Sequence, residues 1–441
     1  MAAIRDGFQS RIGFVLAAAG AAVGLGNIWG FPTQAANHGG GAFLLVYFIV
    51  VFLLALPALY TELYIGHQAQ ANPVKALKLA WTEKAPKVGA TAGYIGLFGA
   101  IVMLSFYSIV AGWMLAYALE PFARLFGLEA LSEFLKSDSL ERNLLFTPLM
   151  LLLTASIIFK GVKSGIEAWS RRLMPLLLVL LVGLIVYIAT QDGAQAGFSA
   201  YLQPDFSKVT DPDLIIAAMG QAFFSLSLGV GCMMIYGSYL KPNENLPRLT
   251  ASVAMLDTGV AFLAGLLIIP AIYVAQHNGV QVFQDGKLIG EGQLIFAVLP
   301  ELFSSMGEIG LVVALTFFVL MAIASLTSTI SSTEIPVSFL VENHGVTRRS
   351  ATWWVTATVM LASLTIIFNF EWLFGLVIQV FTQYQLPLMG LFYFITVGWM
   401  WRRGNQLALE CKGWMYYFAQ YVRFVCPILM TAVFVNVAFN H

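Results

Sequence analysis

Eleven apolar runs, each long enough to cross a bilayer, leave this chain few ways to fold. A hydrocarbon core ~30 Å thick takes about 20 apolar residues per helix. In lipid, every backbone N–H and C=O must find its partner inside a helix or a closed barrel. Runs of that length, bounded by charges or turn residues, cover residues 11–36, 41–66, 90–119, 143–159, 166–190, 214–240, 248–276, 308–341, 350–369, 373–401 and 417–439. The fourth is the shortest and is expected to begin earlier or to tilt little. Of all residues 59% are hydrophobic and 10% charged, against roughly 25% charged in a soluble domain, which excludes a water-soluble globule. The expectation is an all-α integral membrane protein of 11 transmembrane helices, one domain over 1–441.

The charges set the orientation. Lys+Arg and Asp+Glu are 23 each, so the formal net charge is zero and no basic field exists to bind nucleic acid. With the N-terminus inside, 17 of the 23 Lys and Arg fall in cytoplasmic loops, among them Arg11, Lys75, Lys160, Arg171, Arg348 and Arg402. Eleven spans then place the C-terminus outside, in a cell inner (plasma) membrane. The run from Ile12 reads as a retained span, since no small-residue cleavage site and soluble domain follow it. Three cysteines, Cys232, Cys411 and Cys426, give no disulfide framework.

Two spans carry glycines near their middle. The first contains Gly20-Ala21-Ala22-Val23-Gly24-Leu25-Gly26-Asn27, the sixth Ser225-Leu226-Ser227-Leu228-Gly229-Val230-Gly231. Glycine inside a helix costs about 1 kcal/mol and lets the backbone leave it. Gly20-x-x-x-Gly24 also suits close helix packing. Position favours a break. The two spans open successive blocks of five, and because five is odd the second block is inverted relative to the first. Paired interruptions in inverted halves point to a transporter's midplane site. Unwound backbone there offers carbonyls to a cation and N–H groups to an anion, and is tolerated only around a cavity.

Gly20-x-x-x-Gly24-Leu-Gly26-Asn27-Ile-Trp-Gly-Phe31-Pro32 after Arg5, then Gly39-Gly40-Gly41-Ala42-Phe43, resembles the first two helices of the neurotransmitter:sodium symporters. The glycine-rich sixth span, Gly290-x-Gly-Gln-Leu-Ile-Phe-Ala-Val-Leu-Pro300-Glu301 and Ala324-x-x-Thr327-Ser328 extend the likeness along almost the whole chain. The resemblance implies the LeuT fold, with broken helices 1 and 6 and a 5+5 inverted repeat: repeat one about 11–190, repeat two about 214–401, and an extra helix about 417–439.

It also implies two sodium sites. The first would use the backbone of Ala22, Asn27, Ser225 and Asp257, with the substrate's carboxylate as a further ligand. The second would use backbone oxygens of Gly20, Val23 and Ala324 with the hydroxyls of Thr327 and Ser328. Those hydroxyls would otherwise bond back to their own helix. Asp257 is the sharper signal, because a mid-membrane carboxylate costs several kcal/mol unless paired and its span holds no Lys or Arg beyond the terminal Arg248. Many relatives carry Asn here and, one turn on, Glu or, in chloride-dependent members, Ser. This chain has Ala261, so no chloride is expected and Asp257 carries the compensating charge.

Monoamine-carrying relatives place Asp where this chain has Gly24, so the substrate is expected to bring its own carboxylate, as an amino acid does. The N–H groups of Leu25 and Gly26, starting the second half-helix, suit that carboxylate. Tyr107 matches the family tyrosine that also holds it, though a buried packing aromatic reads the same way in isolation. The ammonium would face Ala22, Phe224, Ser225 and Ser227, and the side chain Met103, Tyr107, Phe224, Val230, Ser328 and Ser332. That lining is mostly apolar and uncharged, which favours a large apolar or aromatic substrate, while Ser332 leaves a small polar one open.

By the same resemblance Arg5 is the cytoplasmic gate arginine, with Glu342 or Asn343 as partner and Tyr239 in support. Glu371 and Phe224 are the outer acid and aromatic lid, and the arginine expected at position 30 is Gly30. In the fifth span Gly165 and Pro175 enclose nine residues, a spacing that predicts unwinding at the cytoplasmic end or an ordinary proline kink. Enzymatic chemistry has no support: no phosphate-binding loop is present and no two of the five histidines lie four apart. A proton-coupled permease or channel, with Glu62, Asp257 and Glu334 as relays, is the competing transport reading.

Overall fold

The computed structural model describes residues 7–284, 287–288, 294–401 and 413–440. Nine helices are long and apolar enough to cross a membrane among the described residues: Gly41–Ala69, Pro86–Leu125, Leu140–Ile158, Val162–Ala189, Leu246–His277, Gly307–His344, Arg348–Phe368, Phe370–Met400 and Met415–Val435. The pair Arg11–Ala22 and Gly26–Asn37, bent by 58° at its break, supplies another. The sixth span is Pro212–Ser225 and Cys232–Gly237, joined by a non-helical stretch over 226–231. Counted as one, it completes the eleven expected spans. The fourth does begin earlier than its apolar run, at Leu140. Apart from the two-residue strands Phe283–Gln284 and Lys287–Leu288, the described regular structure is helical.

Local chemistry sets the span starts. Ser10, Ser139, Asn245 and Thr347 each accept an N–H bond from the third residue on: Gly13, Arg142, Arg248 and Ser350. Such a cap is worth about 1 kcal/mol. The apolar surface turns outward as lipid requires: Phe98 and Val179 are each 68% exposed, and the fifth span shows Leu176, Val182 and Val186 beside Val179. A patch of that extent would drive association in water.

The broken spans sit inside this shell. Residues 17–28 are all buried, as are 225–226 and 228–240, and the second, fifth, seventh and eighth spans pack around them. The expected loss of helix in the fifth span is not seen in this conformation. Val162–Glu167 is wound as a wide π-helical turn that runs straight into Ala168–Ala189, with Pro175 inside the helix.

Candidate functional site

The first span breaks where Val23 turns extended, at φ −63° and ψ 113°, and a new helix starts at Leu25. Gly24 occupies the break because nothing larger fits: a Cβ there would lie 2.7 Å from the Ser328 hydroxyl and 2.8 Å from that of Tyr107. The Leu25 N–H donates to the Tyr107 hydroxyl at 3.3 Å. A free helix start and a buried phenol thus converge where a substrate carboxylate was expected. The ring of Phe224 closes over Gly26, whose absent Cβ would stand 3.0 Å from it.

Asn27, Ser225 and Asp257 come together from three spans. Asn27 Nδ2 donates to Asp257 Oδ1 at 2.8 Å and to Ser225 Oγ at 2.8 Å, and Ser225 Oγ donates to Asp257 Oδ2 at 3.0 Å. Asn27 Oδ1 accepts the Gly24 N–H at 3.0 Å, which ties the cluster to the break. All three side chains are fully buried. The oxygens these three side chains carry, one carboxylate among them, suit a small hard cation.

The second expected ion position also assembles. Ser328 Oγ donates to the Val23 carbonyl at 3.3 Å, and a Cβ on Gly20 would lie 3.3 Å from Thr327 Cβ. Thr327 Oγ1 is at the same time bonded back to the carbonyls of Ile323 and Ala324, at 3.2 and 3.0 Å.

Among the residues expected around the substrate side chain, Ser332 Oγ donates to Met103 Sδ at 3.6 Å and meets Cys232 Sγ at 3.5 Å. Val230 is buried in the sixth-span break, and Ser227 takes a left-handed φ of 51° there with its hydroxyl reaching the Ala21 carbonyl at 3.4 Å. A vestibule of about 690 Å³ is lined by Leu25, Tyr107 and Phe224 together with Trp113, Phe296 and Phe370; of the expected side-chain lining, Met103, Val230, Ser328 and Ser332 do not face it.

The expected gates are placed unevenly. Arg5 lies outside the described residues. Glu342 accepts the Asn72 backbone and side-chain N–H groups, each at 2.9 Å. The Tyr239 hydroxyl donates to Glu334 at 2.6 Å, and Arg348 pairs with the same carboxylate while its Nε holds the Ile158 carbonyl at 2.8 Å. Glu371 is exposed, and its neighbour Phe370 lines the vestibule with Phe374.

Two residues outside the expected set hold the breaks open. Glu62 accepts N–H bonds from Gly229 at 3.0 Å, Met233 at 3.1 Å and Met234 at 3.4 Å, and so caps the second half of the sixth span. Gln221 Nε2 donates to the Gly26 carbonyl at 2.8 Å, joining the two broken spans. Glu62 carried a signal in the sequence, a lone acid deep in an apolar run. Gln221 carried none.

Two broken helices that meet at a buried oxygen-lined centre define a secondary transporter. Known proteins agree with that class. The Sodium:neurotransmitter symporter family matches over residues 5–133 and 135–441. An uncharacterised sodium-dependent transporter, YhdH of Bacillus subtilis, is 36% identical over 356 residues, 78% of this chain and 75% of its own. The bovine sodium- and chloride-dependent taurine transporter is 29% identical, covering 77% of this chain and 61% of that one. Among solved structures, that of MhsT in complex with L-phenylalanine superposes with a TM-score of 0.82 at 33% identity, covering 98% of this chain and 100% of that one. The chain belongs to the sodium:neurotransmitter symporter family. It is a multi-pass sodium-dependent transporter with the LeuT fold, and not an enzyme.

Proposed function

We infer that this protein carries neutral L-amino acids with large apolar or aromatic side chains into the cell, coupled to two sodium ions, by alternating access. One observation bears most of the weight. The Leu25 N–H and Tyr107 hydroxyl form a carboxylate position beside the Asn27, Ser225 and Asp257 oxygens. A substrate carboxylate seated there completes the first sodium shell, with Ala22 contributing its carbonyl. The second ion lies between Gly20, Val23, Ala324, Thr327 and Ser328. The bound L-phenylalanine of MhsT supports the substrate class.

Phe224 is the lid of the site, Glu371 the outer acid, and Arg5 with Glu342 and Tyr239 the cytoplasmic gate. Repeats of about 11–190 and 214–401 rock around the centre. The N-terminus faces the cytoplasm of a cell inner membrane and the C-terminus the outside.

The coupling ion is tested by uptake of radiolabelled phenylalanine into proteoliposomes. Uptake is expected to stop when potassium replaces sodium and to persist when gluconate replaces chloride. Equal uptake in potassium, at one pH and with a proton gradient imposed, overturns sodium coupling. Strong chloride dependence overturns the role of Asp257 as the resident negative charge.

Selectivity follows from the lining. Burying a substrate side chain against Phe224, Met103 and Val230 gains roughly 25 cal/mol per Å². A polar substrate recovers only about 1 kcal/mol from each hydrogen bond it makes with Ser332 or Ser328. Competition is therefore expected to rank aromatic and large aliphatic amino acids above glycine, alanine and serine. Val230→Phe removes volume and is expected to weaken the largest substrates by about tenfold while sparing small ones, the scale of overpacking costs of 1–3 kcal/mol. Equal weakening across all substrates contradicts the pocket assignment.

A further inference from the structure

We propose that Glu167 is a positioning residue of the transport cycle: it latches the first half-helix on the cytoplasmic side and releases it when the start of the fifth span unwinds. This rests on the alternating-access reading and assigns one of its moving contacts.

The half-helix Arg11–Ala22 does not cap itself alone. Ser10 Oγ accepts the Gly13 N–H at 2.9 Å and donates its own O–H to Glu167 Oε1 at 2.8 Å. The other carboxylate oxygen, Oε2, accepts the Gln9 N–H at 2.8 Å. Glu167 is only 2% exposed, and it reaches this position because residue 13 is glycine: a Cβ there would lie 1.9 Å from Oε1. An acid at a helix N-terminus meets the positive end of the helix dipole, and its hydrogen bonds are charge-assisted.

The remaining contacts of this helix start are weaker or indifferent to the carboxylate. Arg11 reaches Glu244 at 2.7 Å, but its side chain is 70% exposed, and such surface pairs contribute little. Phe8 packs edge-on against Phe14 and Tyr236.

The fifth span departs from regular α-helix where Glu167 stands. Glu167 ends the π-helical turn Val162–Glu167, which follows Gly161 at φ +82°. Within that turn Gly165 touches the Ile157 carbonyl so closely that a Cβ would come within 2.2 Å of it. Pro175 removes a helix bond further along the same span. Losing one turn shifts a side chain along the axis by about 5 Å, well beyond hydrogen-bond reach. The same local unwinding that loosens the fifth span therefore withdraws both acceptor oxygens from Gln9 and Ser10, and the first half-helix is free to swing.

Hydrogen exchange of the full-length protein in nanodiscs with sodium present tests this without substrate or flux, so a failure of the transport assignment leaves its result readable. Glu167→Ala and Gly13→Ala are expected to speed exchange over 11–22 by about tenfold or more, with a rise over 162–170, while 56–69 in the second span stays within about twofold. Glu167→Gln, which keeps one acceptor oxygen, is expected to fall between them and wild type, and Arg11→Ala to match wild type. Where Glu167→Ala does not accumulate folded, Gly13→Ala and Glu167→Gln decide. Exchange over 11–22 that stays at the wild-type rate in these variants overturns the proposal. So does a uniform rise through all spans, which marks a merely structural residue.

Discussion

Asp257→Ala is expected to lower the apparent sodium affinity by about 100-fold or more and to leave amino acid binding without sodium dependence. The carboxylate is fully buried and bonded to Asn27 at 2.8 Å and Ser225 at 3.0 Å. No Lys or Arg forms an ion pair with it among the described residues, and in the proposed reading the sodium ion is its counter-charge. Removing one partner of a buried ionic pair costs roughly 3–5 kcal/mol, and each 1.4 kcal/mol is about tenfold in affinity. Asp257→Asn preserves the shape and removes the charge, so a comparable loss in both variants assigns the effect to charge. Sodium titration of substrate binding to purified protein measures it. Normal sodium affinity in Asp257→Ala removes this residue from the ion site.

Glu62→Ala is expected to be nearly as severe through a different route, loss of the folded sixth-span break. Three N–H groups, of Gly229, Met233 and Met234, end on this one carboxylate. Each buried donor left without a partner costs about 1–3 kcal/mol, a sum comparable with the whole stability of a typical protein, roughly 5–15 kcal/mol. Little folded protein is expected from Glu62→Ala, read by size-exclusion profile and thermal melting in detergent. Glu62→Gln keeps an acceptor for Met233 and Met234 but turns an NH₂ group toward the Gly229 N–H, so a measurable fall in melting temperature and in substrate affinity is expected. A Glu62→Ala protein that melts like wild type shows that the break needs no carboxylate.

The contrast between these two acids marks the reach of sequence reading here. Both are lone carboxylates in apolar runs, and a chain alone says only that each must find a partner. Asp257 was assigned to a cation by the family resemblance and by the lack of a basic partner in the middle of its span, with a relay as the competing reading. Glu62 was a relay candidate, because nothing in the order of residues says that its carboxylate meets the N–H groups 167 to 172 positions on. Gln221 is less legible still, a polar residue within a span that reads as any helix-compatible side chain until the Gly26 carbonyl is seen beside it. Among the gates, Tyr239 was placed on the cytoplasmic side by the family resemblance. Its bond to Glu334 was not foreseen, since it depends on how the sixth and eighth spans pack.

What the sequence by itself determined was set by the solvent: eleven spans, their approximate limits, and the two glycine-marked interruptions. Lipid enforces these locally, because a span needs enough apolar length and every backbone group needs a partner within reach. Only the tertiary structure decided which side chains close the breaks, that the Glu62 carboxylate meets amides while that of Asp257 meets Asn27 and Ser225, and that Glu167 bonds to the start of the first half-helix. Those outcomes turn on distances of 2.6 to 3.4 Å between residues up to 230 positions apart. A hydrogen bond is lost over a few tenths of an ångström, a precision that comes only from helices packed against one another.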